Sequence, residues 1–113
     1  MATTVGRGLV VSGSGCEGIG RRAFEVKDVF ALLKDPTLSE TILLVESPSA
    51  TAIVPLLAKV RGIVCTSGGM TSHLAIVSRE FALPCVMAAD IDDLAALEGA
   101  RVTMSAEGEI ARA

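Results

Sequence analysis

Residues 68–80 read Gly-Gly-Met-Thr-Ser-His-Leu-Ala-Ile-Val-Ser-Arg-Glu, and His73 is the only histidine among the 113 residues. Gly68 and Gly69 open the backbone to conformations closed to other residues. Loops of that kind can turn successive N–H groups inward as an anion nest. Thr71 or Ser72 is a good N-cap, so a helix is expected to start beside His73. A helix N-terminus carries partial positive charge and free N–H donors. The same field favours a neutral, nucleophilic imidazole over imidazolium. The arrangement suits a histidine that takes a phosphoryl group and passes it on, which splits one difficult transfer into two easier ones.

Blander readings stand beside that one. A lone histidine near a helix start is more often a capping or solvent-facing residue, and residue types and spacing leave both readings open. Ser67 or Ser72 with His73 could suggest a hydrolase. Neighbours on one backbone rarely align as a triad, however, and no Gly-x-Ser-x-Gly elbow occurs. A metal site needs more ligands than the chain places around its one imidazole, so none is expected.

The elements that must position the loop follow from periodicity. Thr41 to Val45 and Gly62 to Cys65 are short apolar runs that read as buried strands. Between them, Ile53, Leu56, Leu57 and Val60 make one helical apolar face, with Pro55 tolerable only in the first turn. After the glycine loop, Leu74, Val77 and Phe81 share a helix face and Pro84 stops it. Cys85 to Met87 reads as a strand, and Asp90 to Leu97 as a short helix capped by Asp90. Upstream, Leu9 to Ser12 and Arg22 to Val26 are expected strands, with a glycine-dense turn at 13–20 and a helical turn near 28–34. Val102 to Met104 and Glu109 to Ala111 suggest a hairpin around Glu107-Gly108. Strands and helices alternate in the middle and strands dominate the ends. The expected class is therefore α/β, a three-layer mixture with short strands, in one domain over 1–113.

Composition narrows the function. Half the residues are hydrophobic and only 3% aromatic, so the core must be aliphatic. The net charge of −3 and the lack of a basic patch beyond Arg21-Arg22 argue against nucleic acid. That arginine pair could dock a partner but is more often simply solvated. The three cysteines include no CxxC pair, which points to reduced thiols in an intracellular, cytoplasmic protein. The N-terminus lacks a signal-peptide pattern, and no apolar run reaches the roughly 18 residues of a membrane span. Gly13-Ser14-Gly15-Cys16-Glu17-Gly18 matches a dinucleotide fingerprint. No helix is expected directly after it, so a turn between strands is the better reading. No P-loop occurs. Asp90, Asp92 and Asp93 read as helix-start charges rather than metal ligands.

The run from Gly68 to Glu80, followed by Leu83-Pro84-Cys85-Val86, closely resembles the mobile, swivelling phosphohistidine domain of phosphoenolpyruvate-utilising enzymes. Phosphoenolpyruvate synthase, pyruvate phosphate dikinase and enzyme I of the sugar phosphotransferase system belong to that family. The resemblance implies a β/β/α swivelling fold, with His73 phosphorylated, usually on Nε2, and carrying the group between two distant sites. It implies phosphate-proximal roles for Gly68, Gly69, Thr71 and Ser72, and more weakly for Ser47, where many relatives have a threonine. Arg79 matches the motif with a packing or docking role. Ser78 stands where alanine is usual, and Ala88-Ala89 where a glycine is common; neither is expected to touch the histidine chemistry. Nothing resembles the family's ATP-grasp domain or its phosphoenolpyruvate-binding barrel. Mg²⁺ and ATP or phosphoenolpyruvate are therefore expected on partner chains: an ATP-grasp-type nucleotide-binding subunit, a phosphoenolpyruvate-binding subunit, or both. The initial Met1 favours a separate subunit over a fragment. A non-catalytic interaction module on the same fold is the competing expectation, and a complete stand-alone enzyme is a weaker third.

Overall fold

The computed structural model describes residues 3–13, 15–23, 26–46, 54–67, 73–91 and 93–112. Strands β1 (Thr3–Ser12) and β2 (Cys16–Arg22) precede helix α1 (Val26–Leu33) and a 3₁₀ turn, Leu38–Glu40. Strand β3 (Thr41–Val45), helix α2 (Val54–Leu57), strand β4 (Gly62–Cys65) and helix α3 (His73–Glu80) form the middle. Strand β5 (Cys85–Ile91), a 3₁₀ turn at Leu94–Leu97, and strands β6 (Arg101–Met104) and β7 (Glu109–Arg112) complete the order.

The sheet closes on itself in the order β1-β5-β4-β3-β2-β6-β7. Strands β2, β3, β4 and β5 run parallel, and the remaining pairings are antiparallel. Strand β1 makes the closure possible. It pairs with β7 along Thr3–Arg7 and with β5 along Gly6–Ser12, and bulges let it turn from one partner to the other.

The mixed α/β class agrees with the sequence. The expected layers meet a sheet that is continuous around a barrel, because the two end strands β1 and β7 join each other. Two apolar clusters result. Ile42, Leu44, Val64, Val86, Leu97, Val102 and Ile110 meet in one. Leu43, Val45, Ile63, Cys65, Cys85 and Met87 meet Val29, Leu32, Leu56, Leu57, Leu74 and Ala75 in the other, which holds the helices against the parallel strands. Alternate residues of β3 thus serve opposite clusters, and all five are buried.

Several expected boundaries shift. Strand β1 begins at Thr3, not Leu9. The strand expected at Arg22–Val26 instead covers Cys16–Arg22, so most of the glycine-dense stretch is strand, not turn. Gly18 and Gly20 belong there because an added Cβ would sit 2.4 Å from the carbonyl oxygens of Glu40 and Leu97. Strand β5 runs on to Ile91, so Asp90 lies in a strand and does not cap a helix; the helical turn starts only at Leu94. Pro55 does fall in the first turn of α2, and β6 and β7 form the expected hairpin, with Gly108 at φ 89°.

Candidate functional site at the carboxyl edge of the parallel strands

Strands β3 and β4 lie side by side in parallel, with Val45 opposite Cys65. The segments that follow them therefore leave from one edge of the sheet. In parallel α/β sheets that carboxyl edge is where ligand-handling loops gather. The β3 exit leads through Glu46 towards Ser47, and the β4 exit leads through Thr66 and Ser67 towards the Gly68-Gly69 pair. Helix α3 then opens with His73 as its first residue, where the sequence predicts a helix start. Ser47, Gly68, Gly69, Thr71 and Ser72 lie outside the described residues, as do Met70 and Asp92.

The root of the β4–α3 connection is tied to both neighbouring strands. The Thr66 N–H donates to the Val45 carbonyl at 3.1 Å, and the Ser67 hydroxyl donates to the Glu46 carbonyl at 2.6 Å. On the other side, the Ala88 N–H donates to the Ser67 carbonyl at 3.3 Å. Ala88 holds φ at 52°, a left-handed conformation that disfavours a Cβ. A glycine would adopt this conformation freely. Ala88 thus meets Ser67 at the root of the connection that leads from β4 to α3. Sequence reasoning also missed Ser67 as a structural tie. Its only visible signal was adjacency to Gly68.

Helix α3 is seated by its own apolar face. Leu74, Ala75 and Ser78 are fully buried, and Val77 packs against the same cluster. Burying Leu74 is worth about 2 kcal/mol. Polar ties fix the far end: the Ser12 hydroxyl donates to the Ser78 carbonyl at 3.3 Å, and Arg79 Nε donates to the Val11 carbonyl at 3.1 Å. Arg79 therefore anchors the helix to β1. The helix ends in a Schellman arrangement. Leu83 N–H reaches Ser78 O at 2.9 Å, Ala82 N–H reaches Arg79 O at 3.1 Å, and Ala82 holds φ at 53°.

Burial raises the thiols around this helix. Cys85 is pushed up to about 11, against smaller opposing effects of the Ser78 hydroxyl and Arg79. Cys65 is raised for the same reason, offset by the amide and hydroxyl of Ser67. Neither is a thiolate nucleophile at neutral pH. The arginine pair does not stand free. Arg21 Nη1 and Arg22 Nε each lie 3.6 Å from a Glu98 carboxylate oxygen, and the Arg22 N–H donates to Glu98 at 3.1 Å. The dinucleotide match at 13–18 gives way directly to β2, without the helix that such a site requires. Among the described residues, no helix is long and apolar enough to cross a membrane.

The closed α/β barrel, with a histidine opening the helix after its central parallel strand, defines a class that comparison resolves. Residues 38–108 match the model of the "PEP-utilising enzyme, mobile domain" family, and the chain belongs to that family. It is a family of phosphoryl-carrying domains in phosphoenolpyruvate synthase-like enzymes. The chain is 36% identical over 80 residues to the phosphoenolpyruvate synthase of Pyrococcus furiosus, covering 70% of this chain and 10% of that protein. It is 35% identical over 98 residues to the chondramide synthase of Chondromyces crocatus, covering 87% of this chain and 2% of that one. The chain thus spans a small fraction of either relative. A crystal structure of Thermococcus kodakaraensis aconitase X shares the fold, with TM-score 0.61, 19% identity, and coverage of 96% of this chain and 97% of the other.

Proposed function

We propose that this chain is a phosphoryl carrier in which His73 accepts a phosphoryl group at one active site and delivers it at another. A ring nitrogen lone pair forms the N–P bond as the donor's P–O bond breaks, and the donor oxygen keeps that electron pair. At the acceptor the N–P bond breaks and the ring recovers its lone pair. Gly68, Gly69, Thr71 and Ser72 hold the transferred group, with Ser47 from the neighbouring strand exit. The donor is phosphoenolpyruvate or the β-phosphate of a nucleotide. It is bound with Mg²⁺ by an ATP-grasp-type or phosphoenolpyruvate-binding partner. Transfer of this kind rests on positioning and charge stabilisation, which can be divided between chains.

On this reading, residues 1–113 form one cytoplasmic β/β/α swivelling domain. The closed sheet supplies the two β layers, and the helices packed on β3 and β4 supply the third. What supports the reading most is one observation. In a chain of this family, the one histidine is the first residue of α3, the helix that follows parallel strand β4.

The test is a two-stage chase. The chain is incubated with a candidate partner and labelled phosphoenolpyruvate or ATP, freed of donor, and mixed with the acceptor-site partner. Acid-labile, base-stable label that leaves the chain on addition of acceptor is expected. A chain that never takes label from any donor partner is instead a non-catalytic interaction module on the same fold.

A further inference from the structure

Resting on the carrier reading, we propose that Ser67 is a positioning residue for phosphorylation of His73, fixing the end of β3 against the end of β4, the strand that precedes α3. Three observations carry this. Its hydroxyl donates to the Glu46 carbonyl at 2.6 Å, so the residue just before Ser47 is tied to the residue just before Gly68. Its carbonyl accepts the Ala88 N–H at 3.3 Å, from a residue held at φ 52°, so the tie extends to a third strand. Its amide and hydroxyl also lie against the buried Cys65 thiol at the end of β4. One residue thus joins the ends of β3 and β4 through its hydroxyl and reaches the middle of β5 through its backbone carbonyl. Neither strand pairing nor core packing requires the hydroxyl. Thr66 already continues the ladder through its own N–H to Val45, and the apolar cluster beneath contains Cys65 and Val45 but not Ser67.

The consequence is kinetic. Without the hydroxyl, the Glu46 carbonyl keeps only the longer contact from the Thr66 hydroxyl at 3.5 Å, and the tie just beyond the paired ends of β3 and β4 slackens. A misplacement of about 1 Å at a reacting centre can cost about a hundredfold, and one lost neutral hydrogen bond is worth up to about tenfold.

The probe is potassium phosphoramidate, which needs no partner chain. A His73 ring nitrogen forms the N–P bond, the reagent's P–N bond breaks, and ammonia leaves after taking up a proton. Labelling is followed by phosphorus-31 NMR on the whole chain at neutral pH, well below the unfolding temperature. Ser67→Ala is expected to slow labelling about tenfold, and Ser67→Thr, which keeps the hydroxyl, to return within about twofold of the parent. Peptide carrying His73 alone sets the rate of an unpositioned ring. Equal rates for the parent and Ser67→Ala, or a threonine variant as slow as the alanine one, overturn the role of Ser67 alone. A parent chain no faster than the free peptide also overturns the positioning role, whereas the carrier reading falls only if the chain takes no label from a donor partner.

Discussion

Arg79 Nε donates to the carbonyl of Val11 at 3.1 Å, joining the last turn of the helix that begins at His73 to a strand 68 residues earlier. The contact fixes where α3 lies along β1. Arg79→Met keeps much of the aliphatic stem and removes the donor. It is expected to destabilise the fold by about 1–2 kcal/mol in urea unfolding, because the Val11 carbonyl is left unpaired. An unchanged urea midpoint would assign Arg79 to the surface rather than to anchoring.

Ala82 and Ala88 both carry a Cβ in the left-handed region, at φ 53° and 52°. Such a residue costs about 1–2 kcal/mol relative to the right-handed well, whereas glycine adopts it freely. Ala82→Gly and Ala88→Gly are each expected to raise stability by up to about 1 kcal/mol, after the entropy that glycine adds to the unfolded chain is subtracted. Thermal unfolding measures this directly. Val at either position should lower the midpoint, and a loss of stability with glycine would contradict the backbone assignment.

The Ser78 hydroxyl is buried with no hydrogen-bond partner of ordinary geometry. Its thiol neighbour, Cys85, is a weak partner. The packing there wants a small side chain and has little use for the oxygen. Ser78→Ala should therefore stabilise the chain by about 1 kcal/mol. A destabilised variant would mean that the thiol satisfies the hydroxyl after all.

Cys16 and Cys85 are both held up to about 11 by burial, above the ordinary 9.0, with Arg61 opposing the rise at Cys16. A raised thiol pKa means that the folded chain keeps protons which the unfolded chain has lost. The associated stability is whole below pH 9.0 and drains away as pH climbs towards 11. The unfolding free energy should fall over that window, and the Cys16→Ala, Cys85→Ala double variant should fall less steeply. Equal slopes would show that other groups govern alkaline unfolding.

What could be read in the chain depended on whether the cause was local. Thr41–Val45 and Gly62–Cys65 emerge at their true limits because strands buried on both faces must be continuously apolar. The first half of β1 hides behind Thr3, Thr4, Gly6, Arg7 and Gly8. Its strand state comes from β7 and β5, nearly the whole chain away. Gly18 and Gly20 look like turn residues, yet they sit in β2 because two carbonyls need the space of a missing Cβ. Asp90 resembles a cap locally and is a strand residue through its pairing with Arg7. The candidate site divides in the same way. His73 at the start of a helix is legible from its own neighbours. Ser67 and Ala88 become partners only when β4 and β5 lie together.

The most direct measurement maps phosphate to a single residue. The chain is incubated with its donor partner and phosphoenolpyruvate or ATP, digested at alkaline pH, and sequenced by tandem mass spectrometry, beside His73→Ala shown to be folded by circular dichroism. The account predicts phosphate on His73, lost on brief acid treatment and absent from the variant. Phosphate that persists in folded His73→Ala, or that maps to a serine or threonine of the loop, would contradict it.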